Sequence, residues 1–248
     1  MTAPRPTLLL TRPSTASERL ARQLPARLRE KLRLCHSPVM QIVSCGNDLE
    51  LGEARGLIFS SSNAVAITSP LTARRDLPCY CVGKTTAQAA AAAGWQAVAC
   101  GGTADTLVAD LVRRAPEAPL LHLRGTHTRG DIATRLTAAG YPTGSLVLYD
   151  QVLHPLSTEA RAVIADAPVT PVIVPVFSPR TARHLAAQIP GTAGLHFAAL
   201  SAAVAKPLEN ISETPVSIAD QPDTASMVAL IEKLVDRICR VEGGPGAQ

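Results

Sequence analysis

Val82-Gly83-Lys84-Thr85-Thr86-Ala87 ends an apolar run, turns tightly through polar residues and enters the alanine run Ala89 to Ala93, which Gly94 stops. A strand that turns directly into a helix leaves the first backbone N–H groups of that helix without intrahelical partners, and an anion is stabilised there. The same grammar recurs at Phe59-Ser60-Ser61-Ser62-Asn63, at Phe177-Ser178-Pro179-Arg180 and at Leu200-Ser201. Ser61, Thr86, Ser178 and Ser201 occupy corresponding turns, where a hydroxyl either caps the helix or meets a ligand. The chemistry on offer is recognition of a small acidic molecule by amides and hydroxyls.

Other chemistries find little support. The six cysteines (Cys35, Cys45, Cys79, Cys81, Cys100, Cys239) contain no C-x-x-C pair, and Cys79 and Cys81 stand on one face of a strand. That spacing suits neither a zinc cage nor a disulfide ladder and reads as reduced structural thiols in a cytoplasm. No G-x-G-x-x-G turn follows a strand, so neither a metal nor an organic cofactor is expected. Aromatic residues are 3% of the 248, too few for a stacking wall on single-stranded nucleic acid. The net charge of +4 is scattered, which suits a small acidic ligand better than a nucleic acid. No apolar run approaches the roughly 20 residues that span a bilayer. The start, Met1 through Arg5 and Pro6, carries no signal-peptide core, so a cytoplasmic location is expected.

These turns need strands and helices to hold them. Hydrophobic residues are 46% and charged residues 18%, enough for two modest cores. Thr7 to Leu10 reads as a strand, with Ser14 or Ser17 capping a helix that carries Leu20, Leu24 and Leu28 and is limited by Pro25. His36 to Val43 alternates around Pro38 and reads as one exposed or edge strand. Leu57-Ile58-Phe59 precedes a helix from Ala64, and Pro78 to Val82 precedes the alanine-rich helix. Ala97 to Cys100 leads to a helix with Leu107, Val108, Leu111 and Val112 as apolar positions. Leu120 to Leu123 ends at Arg124-Gly125-Thr126, before a helix from Asp131 to Ala139. Ser145 to Leu153 is a long strand ending at His154-Pro155. After a helix near residues 157–165 come strands at Val172 to Phe177, Phe197 to Leu200 and Val216 to Ala219, then a final helix to about Arg240. Pro175 interrupts what should be a central strand, where it removes a ladder donor. Such alternation predicts doubly wound parallel sheets covered on both faces.

The halves echo each other. Phe59-Ser60 matches Phe177-Ser178, Val82-Gly83 matches Leu200-Ser201, and Asp105-Thr106 matches Asp223-Thr224, all at an offset of about 118 residues. Arg124 is the counterpart of Arg12. The order of the matches predicts two similar α/β domains with the second inserted into the first. Domain one is residues 1–36 and 155–240, domain two is 44–145, the linker strands are 37–43 and 146–154, and 241–248 is a loose tail. Ligands of open α/β sheets bind beyond the carboxyl ends of the strands, which predicts a site in the cleft between the domains.

Taken together, these stretches resemble the uroporphyrinogen-III synthase family. The resemblance runs from Thr11-Arg12-Pro13 to the last helix and rests on Ile58 to Val65, Val82 to Ala87, Val147-Leu148-Tyr149 before His154-Pro155, Phe177-Ser178-Pro179, Phe197 to Ser201, and Pro222-Asp223. It implies two α/β domains joined by a two-stranded linker, a monomer, and a lyase of haem and tetrapyrrole biosynthesis. The implied substrate is hydroxymethylbilane, a linear tetrapyrrole with eight carboxylates, closed with loss of water and inversion of ring D.

On that resemblance Arg12, Ser61, Ser62, Thr86, Arg124, Gly125, Ser178, Pro179 and Ser201 are the substrate-binding candidates. Tyr149 is the one candidate catalytic residue, donating a hydrogen bond or proton to the leaving hydroxyl or else packing within the linker. Some family members carry a Thr pair where this chain has Ala203 and Val204, leaving backbone amides and Ser201 in that turn. Two other readings stand beside the synthase: a non-catalytic two-domain binder or sensor of an acidic metabolite, and a nucleotide-dependent enzyme on a doubled Rossmann-like scaffold.

Overall fold

Each short apolar run bounded by Gly, Pro or Ser becomes a strand in the computed structural model, which describes residues 5–46, 48–128 and 130–242. The first part of the chain is β1 (Thr7–Leu10), α1 (Ser14–Gln23), α2 (Ala26–Glu30), β2 (Arg33–His36) and β3 (Met40–Ser44). Then follow β4 (Gly56–Phe59), α3 (Ser62–Leu71), β5 (Cys79–Cys81), α4 (Lys84–Ala92), β6 (Ala97–Ala99) and α5 (Ala104–Arg114). Next are β7 (Leu120–Gly125), α6 (Ile132–Ala138), β8 (Thr143–Leu153), α7 (Thr158–Ala165), β9 (Val172–Val176) and α8 (Pro179–Ala186). The chain closes with β10 (Leu195–Ala199), α9 (Ala202–Glu209), β11 (Ser217–Ile218) and α10 (Thr224–Glu242). Residues 243–248, most of the stretch read as a tail, lie outside the described residues.

The chain divides into two units that change over between Gln41 and Ile42 and between Val152 and Leu153, within β3 and β8. Unit one has a five-stranded sheet in the order β11-β10-β9-β1-β2, every pair parallel. Alternate side chains supply its two cores. Leu9, Val172, Val174, Val176 and Phe197 pack with α7, α8 and α9, while Leu8, Leu10, Ile173 and Ala198 pack with α1, α2 and α10.

Unit two has a six-stranded sheet in the order β3-β8-β7-β4-β5-β6. Leu57, Phe59 and Leu123 face α3, α4 and Trp95, and Ile58 and Leu120 face α5 and α6. Omitting β3, this order reads β6-β5-β4-β7-β8, which reproduces unit one with β9 matched to β4, β10 to β5 and β11 to β6. The internal echo of the sequence is therefore a repeat of topology.

Several local readings change. His36 to Val43 is not one strand. Arg33–His36 forms β2, parallel to β1, and the chain breaks at Ser37-Pro38-Val39, where Pro38 has no N–H to continue a ladder. Neither Ser14 nor Ser17 caps α1. Its N-cap is Pro13, and Ser17 is buried with Oγ donating to Arg12 O at 3.0 Å. Of the apolar positions of α5, Leu107 and Leu111 are buried and Val112 is 42% exposed.

Pro175 does sit in the central strand, and the register explains why it is tolerated. Val172 N–H donates to Gly194 O on the β10 side, and Thr7 N–H donates to Pro171 O on the β1 side. Alternation then turns the Pro175 nitrogen toward β1, whose pairing with β9 stops at Leu8↔Ile173. The missing donor ends the β1–β9 ladder there and leaves the β9–β10 ladder intact through Val176.

Candidate functional site

In a doubly wound sheet the ligand crevice lies where neighbouring strands send their connections in opposite directions. Unit one has this switch point between β1 and β9, and unit two has it between β4 and β7. Most of the candidate residues stand at the carboxyl ends of these strands or of β5 and β10, one strand further out.

In unit one, Arg12 follows the end of β1 and Phe177 follows the end of β9. The Arg12 guanidinium lies over the Phe177 ring, 4.0 Å from its centroid. Burial lowers the pKa of Arg12 from its ordinary value, and the positive charge of Arg19 adds to that. Ser178 is the N-cap of α8. Its Oγ accepts from Thr181 N–H at 3.1 Å and lies 2.8 Å from Thr181 Oγ1, and Pro179 takes the first helical position, where a missing N–H costs nothing. Ser201 is the N-cap of α9 but makes no side-chain cap bond, so its hydroxyl has no partner among the described residues. Ala203 and Val204 lie in the first turn of α9, and Val204 is buried.

In unit two, Ser61 caps α3 by accepting from Asn63 N–H at 3.1 Å, and Ser62 is its first helical residue, two earlier than the hydrophobic pattern indicates. Gly83 is the N-cap of α4 and offers no side-chain cap, which leaves the N–H groups of Lys84, Thr85 and Thr86 at the helix start. Thr86 is not a turn residue. It belongs to α4 and is 7% exposed.

Arg124 and Gly125 likewise belong to β7, not to the turn after it. Arg124 Nε donates to Ser145 Oγ at 2.6 Å, and Nη1 donates to Gly125 O at 3.0 Å and Thr126 O at 3.4 Å. Beyond Arg124 the register against β8 slips, so that Arg124 faces Val147 while Gly125 faces Tyr149. This bulge lays the Tyr149 ring on the Gly125 backbone, where an added Cβ would come within 2.5 Å of Cε2. Tyr149 is 2% exposed and is part of the core around Phe59 and Trp95.

One residue of this region escaped the sequence reading. His122 is 2% exposed in β7, and its Nε2 lies 3.1 Å from Ser60 Oγ. Burial, with a smaller contribution from the Arg124 charge, pulls its pKa down to about 4, so it is neutral at pH 7. The signal was present as the lone polar residue inside the apolar run Leu120-Leu121-His122-Leu123. No cluster of three or more His, Cys, Asp or Glu able to hold a metal occurs among the described residues, and no described helix is long and apolar enough to cross a membrane.

Both units thus turn helix N-termini, hydroxyls and an arginine toward the carboxyl ends of their strands. Comparison with known proteins agrees with that architecture. The uroporphyrinogen-III synthetase structure from Helicobacter pylori 26695 matches with a TM-score of 0.65 and 16% identity, covering 93% of this chain and 99% of that one. A mutant uroporphyrinogen III synthase from the extremely thermophilic bacterium Thermus thermophilus matches with a TM-score of 0.52 and 12% identity, over 94% and 99% of the two chains. No curated protein sequence matches the chain. The family model described as uroporphyrinogen-III synthase HemD matches residues 19–229. The chain therefore belongs to the uroporphyrinogen-III synthase family, cyclising lyases of tetrapyrrole biosynthesis.

Proposed function

We propose that this chain closes hydroxymethylbilane to uroporphyrinogen III, with loss of water and inversion of ring D. The observation that carries the reading is the family match over residues 19–229, in a chain whose two sheets carry the same strand-end turns. The substrate bears eight carboxylates and closes without help to the unbranched isomer, so the protein's work is to impose one conformation on it. The N–H groups at the starts of α4 and α9, the Ser201 hydroxyl and the Arg12 guanidinium suit the carboxylates of such a chain. Ser61, Ser62, Ser178 and Pro179 hold helix N-termini in place for the same purpose. Tyr149 would assist departure of the terminal hydroxyl by hydrogen bonding, its ring fixed against Gly125. The active species is taken to be a monomer working in the cytoplasm.

The test is direct. Freshly made hydroxymethylbilane is incubated with the protein, the products are oxidised, and the type I and type III isomers are separated by chromatography. The expected product is type III, and a product mixture equal to the buffer control would refute the reading. Tyr149→Phe is expected to lower turnover by about tenfold or more. Unchanged turnover would leave Tyr149 a packing residue only.

A further inference from the structure

Arg12 and Arg124 hold matching places in the repeat, yet their side chains are used differently. Arg124 is satisfied within its own unit, by Ser145 Oγ and the carbonyls of Gly125 and Thr126. Arg12 is half-buried over Phe177 and, among the described residues, makes no side-chain hydrogen bond and no ion pair. A guanidinium withdrawn from water is seldom left without an acceptor, since it loses hydration and gains nothing comparable. The stack on the ring replaces only part of that loss.

Two further observations fall on β1 and β9 beside Arg12, and a third on the neighbouring β10. The Thr11 hydroxyl, one residue before Arg12, is fully buried and has no partner among the described residues. Pro175 has no N–H to offer β1, and the pairing of β1 with β9 stops at Leu8↔Ile173. The hydroxyl of Ser201, at the end of the neighbouring β10, also has no partner among the described residues.

We propose that Arg12, held flat on Phe177 at the β1/β9 switch point, is the guanidinium that receives a substrate carboxylate, and that Arg124 serves the structure of its own unit. This assignment rests on the synthase reading for the identity of the ligand. A planar guanidinium already fixed on a ring meets a carboxylate through two parallel N–H···O bonds with little loss of side-chain freedom. Phe177 is then a positioning residue, acting through Arg12 without needing to touch the ligand.

Binding can be measured without turnover by titrating the protein with uroporphyrin III, the stable oxidised macrocycle with the same eight carboxylates, and following its fluorescence. Arg12→Gln is expected to raise Kd about tenfold to a hundredfold with an unchanged circular dichroism spectrum. Arg12→Lys should recover only part of this, because a point charge lacks the fork and the plane. Phe177→Leu, which keeps the charge, should raise Kd several-fold, and its effect should vanish in the Arg12→Gln background. Arg124→Gln should weaken binding less than Arg12→Gln does. Wild-type affinity in Arg12→Gln, or an equal loss in Arg124→Gln, would overturn the assignment. If wild type binds uroporphyrin III through Arg12 but forms no type III isomer, the synthase reading falls and the carboxylate site stands.

Discussion

His122 makes the stability of unit two depend on pH in a calculable way. Its pKa is about 4 in the folded chain against 6.5 for a free histidine, so the unfolded chain takes up a proton in a range where the folded one does not. Stability contributed by the neutral buried ring is complete above about pH 6.5 and is lost as the pH falls toward 4. With those two values the loss is about 2 kcal/mol at pH 5 and about 3 kcal/mol at pH 4, relative to pH 7.5. Asp76 and Asp110 of the same unit have pKa values lowered from 3.8 by their arginine partners, so their contribution fades only in more acidic solution. Trp95 is the sole tryptophan and is buried in unit two, so its fluorescence during urea unfolding reports this unit alone. We expect the unfolding free energy to fall by about 2 kcal/mol from pH 7.5 to 5 in wild type and to stay nearly level in His122→Gln. An equal pH slope in the two proteins would refute the reasoning.

Other variants test how the elements are fastened. The Arg75 guanidinium donates to Thr72 O and Ser69 O at the end of α3 and to Ala93 O at the end of α4, while lying 4.1 Å over Trp95. Arg75→Ala leaves these carbonyls without donors and should cost unit two about 2–4 kcal/mol by the same Trp95 assay, with Arg75→Lys recovering less than half. Gly125→Ala would set a methyl group against the Tyr149 ring and should cost about 1–3 kcal/mol, read as a fall in Tm. An unshifted Tm would mean that the ring moves aside freely.

The strand and helix order was legible because period-two and period-3.6 patterns change at Gly, Pro and Ser, and the echo between the halves survived in short pieces such as Phe59-Ser60 and Phe177-Ser178. What stayed hidden depends on partners distant in the chain. Whether Pro175 harms a central strand depends on which neighbour its nitrogen faces, and that is a matter of register. Ser61, Ser178 and Ser201 look alike in sequence, yet the first two close caps and the third does not. The stack of Arg12 on Phe177 joins residues far apart in the chain and leaves no local mark. Tyr149 was found through its motif, but its placement over Gly125 follows from a bulge that no propensity announces.

The matching strand orders also bear on how the molecule is made. Read cyclically from β9 through β11 to β1 and β2, then from β4 to β8, the chain is two equivalent sheets in tandem. The linear chain opens that circle inside one of them. Unit two is contiguous between Ile42 and Val152 and can complete its sheet while synthesis continues. Unit one cannot, because β1 waits for β9, which begins at Val172. Until then one edge of β1 has no neighbour, and the β1/β9 switch point beside Arg12 does not exist until more than two thirds of the chain has been made.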